Sequence, residues 1–256
     1  MSHPEPVPDP AVAAAAAPAY PQAIHVRPTA PLAERVLLPG DPGRALALAQ
    51  TLLQKPLMFN HHRGLWGYTG PAREDGDPLT IQATGMGGPS VAIVASELIA
   101  LGARRLVRVG TCGALAPGLA LGDLVVAHES ICADGASRAL GAGERVAADP
   151  ALTDSLLRTA RSRIGSARRP VHAGAVVSVD LFYDSRSPRH PADALAIEME
   201  AASLFAVGAA ASVPVACLLA VTDTFDAFDV RTRIDDDSLL AAGKAMGVIA
   251  VTALPV

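Results

Sequence analysis

Lysine is nearly missing from this 256-residue sequence: Lys55 and Lys244 are its only two, and the other basic residues are arginine. The formal charge is −4, with no dense basic stripe, which argues against nucleic acid or a membrane surface as partner. Cysteine is scarce as well. Cys112, Cys132 and Cys217 are odd in number and share no CxxC spacing, which argues against a disulfide framework or a structural zinc site and fits a reducing cytoplasm. No apolar run reaches ~18 residues without breakers or charges, so no membrane span is expected. There is no G-x-x-x-x-G-K-[ST] and no G-x-S-x-G, which removes the P-loop and the nucleophile elbow. "HESIC" (128–132) lacks the second histidine of a zincin, and no metal site is expected.

What the sequence has is hydrophobicity: half of its residues are apolar, although only 4% are aromatic. That length and content suit one large α/β domain. The first 22 residues, rich in proline and alanine, have the composition of a disordered tail. Their acidic flank, without Lys or Arg, is wrong for a signal peptide. From residue 34 onward, short apolar runs alternate with helical periodicities. Strands are expected at 34–38, 65–69, 79–84, 105–109, 123–128, 172–178 and 215–222. Helices are expected at 43–54, 89–102, 150–164, 199–212 and 236–252. This alternation predicts a single three-layer α/β/α domain over residues 23–256, around a mixed, largely parallel sheet. Loops are expected at 135–149 and 184–195.

Polar and glycine-rich segments follow the strands, where open α/β sheets bind ligands. In "LLPGDPGRA" (37–45), Gly40 allows close backbone approach, Asp41 suits an N-cap and Arg44 lies one turn into the helix. "ATGMGGPS" (83–90) repeats the design. "VRVGTCGAL" (107–115) puts Arg108 inside an apolar strand and Thr111 beyond it. An arginine there calls for an anion, either a core carboxylate or a bound phosphate. "SVDLFYD" (178–184) offers Phe182 as core or as a wall for a flat base. Asp223 ends the most hydrophobic strand, as a turn residue or as an acid whose proton is held near neutrality. Arg231 and Arg233 follow as groups able to assist it.

"AIEMEAASLFAVGAAA" (196–211) is the most demanding segment, because Glu198 and Glu200 open an otherwise apolar helix. In a helix, positions i and i+2 point apart. Both carboxylates can therefore serve one ligand only if this stretch is still extended.

The ordered series GDPGR, GMGGPS, RVGTCGA, DLFY, EMEAA and TD resembles the bacterial nucleoside phosphorylases of the trimeric/hexameric superfamily over residues 24–252. The resemblance implies an enzyme in which phosphate attacks the ribose anomeric carbon and expels the base. Inorganic phosphate is then a co-substrate and no cofactor is needed. It implies a phosphate site of Gly40, Arg44, Arg108 and Thr111, with Arg63 lent by a neighbouring subunit. It implies a nucleoside site of Phe182, Glu198, Met199 and Glu200, with His25 also lent. Glu200 would take the ribose hydroxyls, Met199 would pack on the sugar, Glu198 would line its side, and Asp223 would serve purine N7. The expected assembly is a cytoplasmic homo-oligomer, a hexamer built as a trimer of dimers.

"ATGMGGPS" and "ADGASR" (133–138) resemble the uridine branch. However, "DSRSPRHPADAL" (184–195) has no glutamine for uracil, and "VTD" resembles the purine branch. The reading is phosphate-dependent cleavage of purine (deoxy)ribonucleosides. The alternatives are a uridine phosphorylase, or a nucleosidase that uses water and lacks the arginine set.

Overall fold

The computed structural model describes residues 23–164, 170–184, 190–226 and 230–254. The first 22 residues, with the tail expected there, lie outside the described residues. The chain begins β1 (Arg35–Leu38), α1 (Pro42–Leu52), β2 (Leu57–Asn60), a 3₁₀ turn (His62–Gly64), β3 (Gly67–Pro71), β4 (Pro78–Gln82), α2 (Gly88–Leu101), β5 (Arg105–Ala114) and β6 (Leu124–Ala133). It continues α3 (Gly135–Ala139), β7 (Arg145–Ala147), α4 (Pro150–Ile164), β8 (Val171–Val179), β9 (Ala194–Glu198), α5 (Ala201–Ala211), β10 (Val215–Phe225), β11 (Arg231–Arg233) and α6 (Asp236–Ala253).

The strands form one mixed sheet of eleven. Its parallel share is smaller than expected. Among the described residues five pairings are parallel and six antiparallel. The antiparallel neighbours are β2–β3, β3–β4, β6–β7, β5–β9, β10–β11 and β10–β6, and β10 pairs parallel with β5 on its other side. Because β6–β8, β8–β9 and β9–β5 also pair, five strands close into a ring. The sheet is therefore not fully open. Of the other six strands, β1, β4, β3 and β2 run off β5 as a flap, β7 pairs with β6 and β11 with β10.

Alternate residues of each strand face opposite ways, and the core divides accordingly. Leu37, Val107, Val126 and Leu218 pack with Leu48 of α1, Leu156 of α4 and Met246 of α6. Val36, Leu106, Val125 and Leu219 pack instead with Leu98 of α2 and Phe205 of α5. Each such side chain contributes about 1.5–3 kcal/mol by leaving water. Arg35 ties the ends together. It holds Asp75 through two 2.6 Å hydrogen bonds and donates to the carbonyls of Pro78 and Leu254. Among the described residues no helix is long and apolar enough to cross a membrane.

The expected helices recur within about two residues at each end. The segment 135–149, read as loop, contains α3 and β7. Of 184–195, residues 185–189 lie outside the described residues, and its end starts β9.

Candidate active site

The chain after β1 and the chain after β4 are laced together. Thr84 N donates to Pro39 O at 2.9 Å and Gly85 N donates to Gly40 O at 3.0 Å. A side chain at Gly40 would sit 3.2 Å from Gly85 O and 3.9 Å from Arg108 Nη1. Asp41 caps α1, its Oδ1 accepting from Arg44 N at 2.6 Å. The half-buried Arg44 side chain therefore starts one turn into a helix that begins two residues after Gly40.

Arg108 is the centre of the site, buried in β5. Its Nη2 donates to Glu200 Oε2, and its Nε lies 3.3 Å from Glu198 Oε2, an ion pair without hydrogen-bond alignment. Its Nη1 has no hydrogen-bond partner among the described residues. Burial works against the charge, but Glu200 and then Glu198 more than offset it, leaving the guanidinium above its ordinary value. Gly110 makes this fold-back possible. A Cβ there would lie 2.7 Å from Arg108 Cζ.

The two glutamates converge because the regular helix starts only after them: Glu198 is still in a strand, and Glu200 is in neither a helical nor an extended conformation. Glu198 is the last residue of β9, and Glu200 is the N-cap of α5 at φ −135, ψ −25. Glu198 accepts from Glu200 N at 2.9 Å, from Ala201 N and from Ser178 Oγ. Its side chain is shut off from solvent. Burial and the neighbouring Glu200 push its carboxyl up, against the pull of Arg108. Glu200 Oε1 accepts from Gly87 N at 2.6 Å. Gly87 has φ +85, a left-handed conformation suited to glycine. Met199 and Thr111 are half-buried beside this cluster in sequence.

Arg44 belongs to the same electrostatic neighbourhood. Burial lowers its pKa, Arg108 and Arg233 lower it further, and Asp41 and Glu200 oppose them. With donor-only arginines beside acceptor-only carboxylates, the site suits an anion next to a pair of hydroxyls.

Asp223 lies past a bulge in β10, where the register against β5 shifts. It is buried, and its Oδ2 accepts from Thr222 Oγ1 at 2.8 Å. Opposite it on β11 stands Arg233, whose Nη1 is 3.1 Å from Oδ1. The Nε of Arg231 is 3.8 Å from the same oxygen. Phe182 is 46% exposed and meets Tyr183 edge-on at 4.9 Å. Asp226 Oδ1 accepts from Val230 N at 2.9 Å, while Asp229 lies outside the described residues.

His25 and Arg63 are elsewhere. Among the described residues, no hydrogen bond or ion pair joins either to Arg44, Arg108, Glu200 or Asp223. His25 Nδ1 is 2.7 Å from Glu97 Oε1, and the Ile24, His25 and Val26 amides also donate to that carboxylate. Exposed Arg63 takes a left-handed backbone, φ 57, in the 3₁₀ turn. Arg27, Arg63, His25 and His61 all crowd His62, whose pKa falls first by desolvation and then by this positive charge.

A cavity of about 290 Å³ beside α5 and the start of β10 is lined by Asp149, Phe205, Gly208 and Pro214, none of them in this constellation. Burial pushes the Cys112 and Cys217 thiols up, so both remain protonated beside Arg108. Three members of the site lie in the quoted segments without standing out as site residues: Gly87 acts through its N–H, Gly110 through its missing side chain and Ser178 through a hydroxyl. A lone serine inside the apolar run "AVVSV" was the available signal for the last.

Residues 34–253 match the Phosphorylase superfamily. The chain belongs to that superfamily. It is 36% identical over 199 residues to the purine nucleoside phosphorylase DeoD-type of Jannaschia sp. (strain CCS1), covering 75% of this chain and 82% of that protein. The protein of the same description from Geobacillus kaustophilus (strain HTA426) is 36% identical over 200 residues, with 76% and 83% covered. That of Exiguobacterium sp. (strain ATCC BAA-1283 / AT1b) is 38% identical over 197 residues, with 75% and 81% covered. The superfamily match spans Gly40 through Asp223, and so every residue of the constellation just described.

Proposed function

We propose that this chain is a purine nucleoside phosphorylase, cleaving purine (deoxy)ribonucleosides with inorganic phosphate to free base and (deoxy)ribose 1-phosphate. The observation that carries the reading is the divided guanidinium of Arg108, with Nη2 on Glu200 and Nη1 buried, without a hydrogen-bond partner among the described residues and close to Gly40. Phosphate takes that free edge together with Arg44 and Thr111. Glu200 accepts from the ribose hydroxyls, with Met199 beside the sugar. Glu198 acts behind them by fixing Arg108 and the start of α5.

A phosphate oxygen attacks C1′ as the bond from C1′ to N9 breaks, and the electron pair leaves with the purine. The transition state carries positive charge on the sugar, which phosphate and Glu200 stabilise. Protonated Asp223 donates to N7 and neutralises the departing base.

The two helix groups on the two core faces support a three-layer α/β/α reading of residues 23–256 as one domain. Ile24, Leu57, Met58 and Trp66 are exposed close in sequence to His25 and Arg63. Aromatics and arginine are typical of interface cores. We read this face as the contact that lends His25 and Arg63 to a second subunit, in a cytoplasmic hexamer of three dimers without cofactor or metal.

The test is a nucleoside panel (inosine, guanosine, adenosine, methylthioadenosine, uridine) with and without phosphate. Phosphate-dependent release of purines is expected. Base release at equal rate without phosphate makes the chain a nucleosidase, and turnover of uridine alone makes it a pyrimidine enzyme.

A further inference from the structure

Asp134 is a buried carboxylate outside the reaction proposed above. It is 1% exposed, deeper than either Glu198 or Glu200, and it caps α3, the short helix in a segment whose sequence reads as loop. A carboxylate is costly to bury unless its lone pairs are taken. Here neutral donors take them. Oδ1 accepts from Ser137 Oγ, and Oδ2 accepts from Ser137 N at 2.8 Å and from Ser203 Oγ at 2.9 Å. Ser137 and Ser203 are themselves fully buried.

The Ser137 bonds close α3 on itself and are explained by capping. The Ser203 bond is not. Ser203 is the third residue of α5, the helix whose N-cap is Glu200. Asp134 thus fastens the first turn of α5 to α3 from the side. The start of α2 is wedged against this junction. A Cβ on Gly88 would lie 2.6 Å from Ser203 Oγ, 2.9 Å from Ala136 Cβ and 3.0 Å from Asp134 Oδ2, so the backbone rests directly on the Asp134–Ser203 pair. The residue before it, Gly87, donates its N–H to Glu200 Oε1 at 2.6 Å.

Two helix starts meet at Glu200: that of α5, which it caps, and that of α2, which supplies Gly87. Arg108 holds Oε2 from a third side. An ionised carboxylate can accept at about four positions. Gly87 and Arg108 use one on each oxygen, and the rest can meet a pair of hydroxyls only while those two contacts keep the carboxylate in place.

We infer that Asp134 is a positioning residue: by holding Ser203 it fixes the starts of α5 and α2 against each other, and so sets the Glu200 carboxylate for the ribose hydroxyls. The inference rests on the phosphorolysis proposed above and on the ribose role given there to Glu200.

The experiment compares kcat/KM for inosine and for 2′,3′-dideoxyinosine, which offers Glu200 no hydroxyl, at saturating phosphate. The proteins are the wild type, Ser203→Ala and Asp134→Asn, each with and without Glu200→Gln. Ser203→Ala leaves Asp134 capping α3 and puts a strong helix former in α5, so the fold should hold. It should lower the inosine value by roughly tenfold to a hundredfold, the effect of a small misplacement within a site, and the dideoxyinosine value far less. Asp134→Asn keeps the shape of the side chain but replaces an acceptor by a donor, and should show the same selective loss. In the Glu200→Gln background either substitution should have little further effect, because the group it positions is already impaired. A purely structural role would lower Tm and leave the ratio of the two nucleosides unchanged. Equal losses on both nucleosides, losses that simply add to that of Glu200→Gln, or a Ser203→Ala enzyme as active as the wild type overturn the inference and leave phosphorolysis intact. Failure of the wild type to cleave inosine, or cleavage at an equal rate without phosphate, overturns the phosphorolysis reading instead.

Discussion

Arg108 holds Glu200 with one terminal nitrogen and turns the other, equally buried, toward Gly40, where no hydrogen-bond partner meets it among the described residues. An unsatisfied buried donor costs about 1–3 kcal/mol. The pairing therefore links two subsites: whatever anion satisfies Nη1 also fixes the arginine that orients the carboxylate.

Gly110→Ala tests that link without touching a charged group. The new methyl would occupy space now held by the Arg108 guanidinium, 2.7 Å from Cζ. We expect KM for phosphate to rise by roughly tenfold or more, the effect of losing about 1.4 kcal/mol of binding, with the circular dichroism spectrum unchanged. An unaltered phosphate KM would mean that Arg108 does not receive the anion.

Asp223→Asn preserves shape and removes the acid. Activity on inosine should drop by roughly 10² to 10⁴ in kcat, whereas a purine nucleoside whose base departs readily without N7 protonation should lose much less. Parallel losses on both substrates would assign Asp223 a structural role with Arg233.

Glu97 anchors the segment carrying His25, and its protonation should release that segment. Burial raises the Glu97 carboxyl, but the hydrogen bonds from Val26, His25 and Ile24 outweigh it and hold the folded value below the ordinary 4.5. A depressed folded value means stabilisation that is present above about pH 4.5 and lost as pH falls through the folded value. Hydrogen exchange at Ile24–Val26 should therefore accelerate at acid pH before the core opens. Glu97→Gln should give the same acceleration at neutral pH, with a stability loss of about 1.5–3 kcal/mol. Protection independent of pH would refute the anchor.

Complementation tests the shared site. Arg44→Ala disables a chain's own site and Arg63→Ala the neighbour's. Co-refolded mutants should then recover up to about a quarter of wild-type activity, since half of random dimers are mixed and each mixed dimer keeps one intact site. No recovery despite demonstrated subunit exchange would confine Arg63 to its own chain or to no site.

The elements most legible in the sequence were those whose local signals agree with their packing. Asp41 and Pro42 mark the start of α1 in the sequence and in the structure alike. β9 is different. "ALAIE" has no strand signal of its own, its first two residues fall in the loop expected at 184–195, and it is extended because β8 and β5 pair with it on either side. β11, three exposed residues of sequence Arg-Thr-Arg, has no strand signal of its own and exists through its ladder to Asp223–Phe225. The site follows the same division. Arg108 stands out as a charge in an apolar strand, but its two carboxylate partners lie some ninety residues away, brought to it by long-range pairing.

The double pairing of β10 has a mechanical corollary. Residues Cys217–Ala220 bond to a neighbour on each side, so their amides should be among the last to exchange. Sliding that strand to admit a ligand would rupture two ladders at once. The doubly paired stretch of β10 therefore holds its place relative to Arg108 on β5.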